Sequence, residues 1–394
     1  MTNRHKVILM METSRTFGRS IIRGMTRYSR SRGNWIYYKR APFYWATGGG
    51  EVAPKLILKV GADGLVLREQ RTREQTERIL SVNIPTVVSP YTEPFPGYPN
   101  IITDDEAIGK MAAEYLLHRG FKQFAYCGFG QKYYWSRERG RSFSQRVSEE
   151  GYEAHSYEYE RPGSVARHSW EKEQDMLAEW LKTLPKPVGL MACNDDRSQY
   201  VLEACLIAGL HVPEEVAVIG LGNDEMICDL VTPPLTSIAL DAEKAGYDAA
   251  ATLDKMMAGK KIVNQTIIVR PTHVVSRQST NVFAVADRDV LAALRFIHRS
   301  AGKEPIQVDD VLRVVSLSRR TLYERFASVL GRSVHEEIKR VRVDQLARLL
   351  VTSNLPVSQI ASIMGCSDIK NIARYFKQQK GVTPSEYRKN HSLQ

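Results

Sequence analysis

From residue 7 to about residue 260, short apolar runs alternate with stretches whose apolar side chains recur every three or four positions. Short apolar runs bounded by polar or turn residues predict buried strands at Val7–Met11, Leu65–Leu67, Thr86–Ser89, Phe124–Gly128, Gly189–Ala192 and Val216–Gly220. The helical period predicts helices at Phe17–Tyr28, Asp105–Arg119, Trp135–Glu150, Trp170–Thr183, Arg197–Ala208 and Asp241–Met257. Strand and helix in alternation describe a mostly parallel α/β sheet. Ligands of such sheets bind beyond the carboxyl ends of the strands. The loops that converge there are Glu12–Arg19, Arg68–Arg71, Tyr91–Tyr98, Tyr133–Arg139, Asn194–Arg197 and Gly222–Glu225. Nearly all carry Arg, Asp, Asn or an aromatic, the groups that suit a polyhydroxylated ligand.

The pattern changes in the last hundred residues, where one helix-turn-helix arrangement occurs twice. The first copy runs from Val308 through Ser316-Leu317-Ser318 into Arg319-Arg320-Thr321-Leu322-Tyr323-Glu324-Arg325-Phe326. The second runs from Val357 to Gly365, through Cys366-Ser367-Asp368, into a basic helix ending near Lys377. A second helix of this kind enters a DNA major groove with its first side chains toward base edges. Two copies in one chain point to one monomer reading two adjacent grooves.

Charge supports that division. Residues 285–390 hold 19 Lys and Arg against 11 Asp and Glu, while the rest of the 394-residue chain holds 36 against 33. Most of the net +11 therefore sits on the segment expected to meet phosphates. The five cysteines are dispersed, without C-x-x-C spacing, and predict buried reduced thiols in a cytoplasmic protein. No run approaches the roughly 20 apolar residues of a membrane span. Phosphate-loop, nucleophile-elbow and H-E-x-x-H motifs are missing, Gly48-Gly49-Gly50 lacks a strand-to-helix setting, and the nine histidines are scattered. The expectation is a non-enzyme with no cofactor, catalytic residue or metal site.

Longer motifs carry resemblances. Ile102-Thr103-Asp104-Asp105 through Gly120, Cys193-Asn194-Asp195 through Gly220, and Pro233-Pro234-Leu235-Thr236-Ser237-Ile238 together resemble the periplasmic-binding-protein-like core of the LacI family of sugar-responsive repressors. Gln345–Leu350, Val357–Gly365, Arg374–Lys377 and Gly381–Arg388 resemble the AraC/XylS family of bacterial regulators. The order, sensor first and DNA-binding domain second, is similar to the bacterial xylose-operon activator family. The implied architecture is a two-lobed parallel-sheet α/β sensor at 1–280, a linker at 281–290 and an all-α tandem helix-turn-helix domain at 291–394. The implied function is a sugar-responsive regulator of a carbohydrate catabolic operon. Its partners would be operator DNA, a pentose such as D-xylose, a second copy of the chain and, for an activator, RNA polymerase. A repressor made of the same parts, or a constitutive DNA binder whose sensor only dimerises, stays open at this point.

By position, the resemblance implies that Arg139 clamps sugar hydroxyls and that Asn194 supplies an amide, with Phe17, Arg19 and Trp135 at similar family positions. Gly222 stands where many relatives place an acid, which leaves Asn223 or Asp224 to replace it. Glu12 and Arg197 complete the candidate ligand set. Glu12 is read equally as a cap for the helix after it, Phe17 equally as lobe packing, and Asp105 first as a helix-terminal acid. On the DNA side the candidates are Ser318, as N-cap, with Arg319, Arg320, Thr321 and Tyr323, then Ser367, Lys370, Asn371 and Arg374. Lys370 and Asn371 are the better base readers, and Arg374 is divided between phosphate and an internal ion pair.

Overall fold

The computed structural model describes residues 4–32, 35–39, 52–130, 132–157, 170–302, 304–365 and 369–391. Gly48–Gly50, Cys366, Ser367 and Asp368 lie outside the described residues.

The first lobe is a six-stranded, all-parallel sheet. It is built from β1 (Lys6–Met10), β2 (Ile36–Lys39), β3 (Gly64–Arg68), β4 (Thr86–Ser89), β5 (Asn100–Thr103) and, from much later in the chain, β11 (Thr266–Val269). The strand order is β11-β5-β4-β3-β1-β2. The second lobe orders its strands β12-β10-β9-β8-β6-β7, with β6 (Gln123–Cys127), β7 (Ala154–Tyr157), β8 (Val188–Ala192), β9 (Val216–Leu221), β10 (Thr236–Leu240) and an antiparallel β12 (Pro271–Val275). Central strands such as β8 and β9 are buried along their whole length, as their unbroken apolar runs require. The strands that the hydrophobic pattern did not predict are β2, β5, β7, β10, β11 and β12. They are short, and β10 buries Thr236 and Ser237, whose hydroxyls bond to neighbouring chain segments.

Helices cover the sheets: α1 (Thr16–Arg32), α2 (Val52–Val60) and α3 (Arg73–Leu80) in the first lobe. In the second come α4 (Asp105–His118), α5 (Tyr134–Glu149), α6 (Trp170–Thr183), α7 (Asp195–Ala208) and α8 (Glu225–Leu230). The chain then returns, and α9 (Ala242–Met257) packs on α1 in the first-lobe core. That crossing is very close. A Cβ on Gly24 would lie 1.8 Å from the Glu243 carbonyl oxygen, and one on Gly246 would lie 2.1 Å from that of Ile21. The returning helix is thereby held against backbone within the first-lobe core.

The C-terminal part contains α10 (Arg288–Ser300), α11 (Val308–Leu312), α12 (Arg319–Leu330), α13 (Val334–Thr352), α14 (Val357–Ile363), α15 (Ile369–Lys380) and α16 (Pro384–His391). Helix α10 starts inside the segment expected to be linker, because the Asp287 carboxylate accepts from the amides of Asp289 and Val290. The preceding residues are not a loose tether. Phe283 and Val285 are buried in the core of the first helix-turn-helix unit, and the Ala284 amide donates to the Arg119 carbonyl at 2.8 Å. The long α13 carries a capping box at Ser333 and Glu336 and joins two apolar cores, one per unit.

The sensor docks on α13 and α16. Arg332 donates to the His118 carbonyl at the end of α4 (2.7 Å), the Tyr387 hydroxyl donates to the Thr272 carbonyl, and His391 meets Asp241 at 3.2 Å. Glu337, with no exposure, accepts from His298, Arg332 and Arg340 at 2.6–2.8 Å. Against the cost of burial, the Arg340 and Arg332 guanidiniums and the His298 hydrogen bond hold its carboxyl well below the usual range. Burial, reinforced by Arg340 and Arg332, pushes His118 down to about 3; burial, with Arg348 and Lys380, pushes His273 down to about 4.

Both histidines are thus neutral when folded and take a proton only when unfolded. Stability is full above the unfolded histidine range near pH 6.5 and declines as pH falls from there toward 3–4, by up to about 1.4 kcal/mol per pH unit for each. Urea unfolding between pH 7.5 and 5 should show this slope, and His118→Asn should make it shallower. An equal slope in the variant would refute the assignment.

Candidate effector cavity and DNA-facing helices

Between the lobes lies a cavity of about 680 Å³, lined from the carboxyl ends of β1, β3, β4, β5, β6, β8 and β9. That is ample for a small polar molecule. Of the eight residues expected to meet a ligand, five line it: Glu12, Phe17, Trp135, Arg139 and Asn194.

Arg139 is buried. Its Nε donates to Asp105 Oδ1 (2.7 Å), Nη1 to the Cys193 carbonyl (2.8 Å) and Nη2 to Thr103 Oγ1 (2.9 Å), and its guanidinium lies 4.7 Å from the Trp135 ring centre. Asp105 therefore does more than sit at a helix start. Asp104 makes the α4 cap, and Asp105 lines the cavity as the counter-charge of Arg139. Burial raises the Asp105 carboxyl while Arg139 opposes the rise. The Trp135 indole N–H has no hydrogen-bond partner among the described residues. Asn194 caps α7, its Oδ1 accepting from the Arg197 amide at 2.8 Å.

Three expected residues do not line the cavity. Arg197 is wholly buried behind Asn194; it donates to Glu173 (2.5 Å) and Cys127 Sγ (3.1 Å) between the rings of Phe129 and Tyr157. Asn223 is turned away by a positive φ of 46°, and its Oδ1 accepts from Arg277 at 3.0 Å. Arg19 is bound to the carbonyls of Thr13 and Ser14 and to Thr16 Oγ1 (2.9–3.1 Å), and reaches Asp224 at 3.2 Å.

Asp224, two residues beyond Gly222, lines the cavity where Asn223 does not. Its carboxylate, almost fully buried at the cavity edge, accepts from the Thr16 amide (2.7 Å) as well as Arg19, and so caps α1 from the opposite lobe. Glu12 is thereby free of the capping role and instead accepts from Ser14 and from the Tyr91 hydroxyl (3.3 Å). Gly222 itself has φ 120°, and a Cβ there would stand 3.2 Å from Asp195 Oδ2. An acidic side chain would be strained and would face a carboxyl already raised to about 6 by burial. A further bridge, Arg15 to Asp196 at 2.5 Å, crosses the cleft. Arg15, Arg68 and Tyr91 are lining residues that the motifs did not single out; their shared mark is a place at or just beyond a strand end or at a helix start.

On α12 and α15, burial of Leu322 and Phe326 and of Ile372 and Phe376 fixes one face at i, i+4 spacing. The other face is polar. Ser318 caps α12 by accepting from the Thr321 amide (3.2 Å), and its hydroxyl also lies 2.8 Å from Thr321 Oγ1. Arg319 pairs with Asp309, and Arg320, the more exposed, pairs with Glu324 at 2.8 Å. Tyr323 is half-buried against the core. Lys370 and Asn371 are exposed; Arg374 donates to Asn371 Oδ1 at 2.8 Å and lies by the Tyr375 ring, with Lys339 over the same ring at 4.1 Å. No acid pairs with Arg374 among the described residues.

Comparison with known proteins agrees with this division. Residues 113–280 match a periplasmic binding protein-like domain and residues 311–390 a helix-turn-helix domain. The xylose operon regulatory protein of Haemophilus influenzae is 29% identical over 98% of this chain and 98% of its own. The solved xylose-binding transcription activator xylR is similar over the full length of both chains, with 29% identity and a TM-score of 0.60. The transcription regulator CcpA of Lactococcus lactis shares the fold over 71% of this chain and 100% of its own, at 19% identity and a TM-score of 0.57.

Replacing Arg139 with Met leaves Asp105 buried without its counter-charge, which should lower the unfolding free energy by roughly 3–5 kcal/mol. Asp105→Asn in that background should restore part of the loss. Denaturant midpoints of the two variants check this, and an unchanged midpoint for Arg139→Met would contradict it.

Proposed function

We propose that this chain, a helix-turn-helix transcription regulator with a periplasmic-binding-protein-like sensor, closes its lobes on an aldopentose such as D-xylose and thereby activates a carbohydrate catabolic operon in the cytoplasm. The observation that carries the reading is one helix. At its start, Asp105 lines the cavity and holds Arg139; at its end, about 21 Å away, the His118 carbonyl and Arg119 meet the DNA-binding half. Glu12, Phe17, Trp135, Arg139, Asn194 and Asp224 contact the sugar in this reading, while Arg19, Arg197 and Asn223 hold the loops that present them. The cavity binds and does not catalyse.

Ser318, Arg319, Arg320, Thr321, Tyr323, Lys370, Asn371 and Arg374 form the DNA face, with Arg320, Lys370 and Asn371 toward base edges. Sugar binding shifts the two helix-turn-helix units only as far as its affinity differs between their arrangements. A second copy completes the unit. Leu206 and Ile207 on α7, and Met226 and Leu230 on the adjoining α8, are each more than half exposed, an apolar face that supports pairing through the second lobe. RNA polymerase is the further partner of an activator.

Thermal-shift titration against pentoses, hexoses and sugar acids should give a dose-dependent rise for one pentose, as mass action requires; silence across the panel would defeat the sensor reading. Footprinting on the operator should protect roughly 16–20 bp per monomer, two successive major grooves; protection of one groove would defeat tandem reading. Transcription with purified polymerase reads the sign. Arg332→Ala, which cuts the contact to the His118 carbonyl, should leave sugar affinity largely intact while reducing the effect of sugar on operator affinity. Full retention of that coupling would refute the role given to α4.

A further inference from the structure

Arg68 ends β3 on the cavity wall, and its charge is not neutralised there. Two other lining arginines have acid partners, Arg15 with Asp196 and Arg139 with Asp105, whereas no carboxylate among the described residues pairs with Arg68. Its position is nevertheless well defined. The guanidinium carbon lies 3.6 Å from the Tyr91 ring centre and 5.6 Å from that of Phe17. Nη1 donates to Ser89 Oγ (2.6 Å) and to the Pro90 carbonyl (3.3 Å), which leaves Nε and Nη2 without a partner among the described residues. The Tyr91 platform is itself fixed, because the buried Glu69 accepts from the amides of Tyr91 (2.5 Å) and Thr92 (2.7 Å) and from the Thr92 hydroxyl (2.6 Å). At the far end of the same ring the Tyr91 hydroxyl donates to Glu12, which also lines the cavity and has no cationic partner among the described residues.

A donor fork stacked on the face of one tyrosine and an acceptor-only carboxylate held at that tyrosine's hydroxyl match a vicinal diol. The hydroxyl oxygens accept from the guanidinium, and a hydroxyl proton goes to the carboxylate. Closing the lobes strips water from Arg68, so groups on the bound molecule must replace those hydrogen bonds or the closure costs affinity. We propose that Arg68, with Glu12 across Tyr91, is a specificity-determining pair of the sensor that clasps two adjacent hydroxyls of the sugar. The inference rests on the cavity being the effector site.

Calorimetric titration of the full-length wild type, Arg68→Met and Glu12→Gln with D-xylose, its 2-, 3- and 4-deoxy forms and D-xylonate tests it. Wild-type protein should lose roughly 10- to 100-fold in affinity for one deoxy analogue, the cost of a missing partner for a charged group. Arg68→Met should lose a similar factor for D-xylose and no longer distinguish that analogue from the parent. Glu12→Gln, which keeps the size of the side chain, should weaken the same discrimination. Melting temperatures without sugar check that each variant is folded; if Arg68→Met is not, Arg68→Lys takes its place in the cycle. If D-xylose binds but Arg68→Met loses the same factor for every analogue, or nothing, the pair is not a diol clasp. Tighter binding of D-xylonate than of D-xylose by the wild type would also overturn the clasp, in favour of a carboxylate on Arg68. If the wild type binds none of these compounds, the pentose reading and this inference fall together.

Discussion

A carboxylate with no access to water must be paired, and the relation between the two halves of this chain turns on one. Glu337 is surrounded by His298 from α10, Arg332 from the turn before α13 and Arg340 one helical turn further on. Each donor is fixed by another contact. Arg332 reaches the end of α4, Arg340 continues to Asp344, and Asp344 reaches Lys380 of α15. A network of this kind tolerates few arrangements, because a displaced cation leaves a buried charge exposed to a low dielectric. The sensor therefore meets the DNA-binding half through a junction with discrete geometry, unlike a flexible tether.

The cleft uses the same physics with smaller margins. Asp224 reaches across the lobes to the amide end of α1, and Arg15 reaches back to Asp196. These bridges are polar and their side chains line the cavity. Arg139 and Asp105 lie deeper and serve both as cavity wall and as the anchor of α4. A molecule that engages Arg139 therefore acts on the first turn of a helix whose last turn touches Arg332.

How much was legible in the chain varies with the range of the interactions. The twin helix-turn-helix units were readable because their local rules agree. Ser318 caps, apolar residues at i, i+4 turn inward, and basic residues occupy the opposite face. Arg139, named by its position in the family resemblance, does line the cavity. The place of Arg197 was not legible, because sequence spacing does not distinguish an arginine facing a cleft from one locked behind it by Glu173 and Cys127. Arg68 and Tyr91 were invisible as a pair, since their stacking depends on the register of β3 with β4.

Local periodicity and composition by themselves determined the alternation of strands and helices in the sensor, the second helices of the two helix-turn-helix units and the concentration of positive charge on the C-terminal segment. Those properties arise from contacts within a few residues, so the order of side chains is enough to specify them. Only the tertiary structure decided that α9 and β11 return to the first lobe, that Asp224 rather than Asn223 faces the cleft, and that α4 joins the cavity to Glu337. Each depends on groups tens to hundreds of residues apart meeting in a shared desolvated space, where burial and pairing select one partner among many that the sequence leaves equally possible.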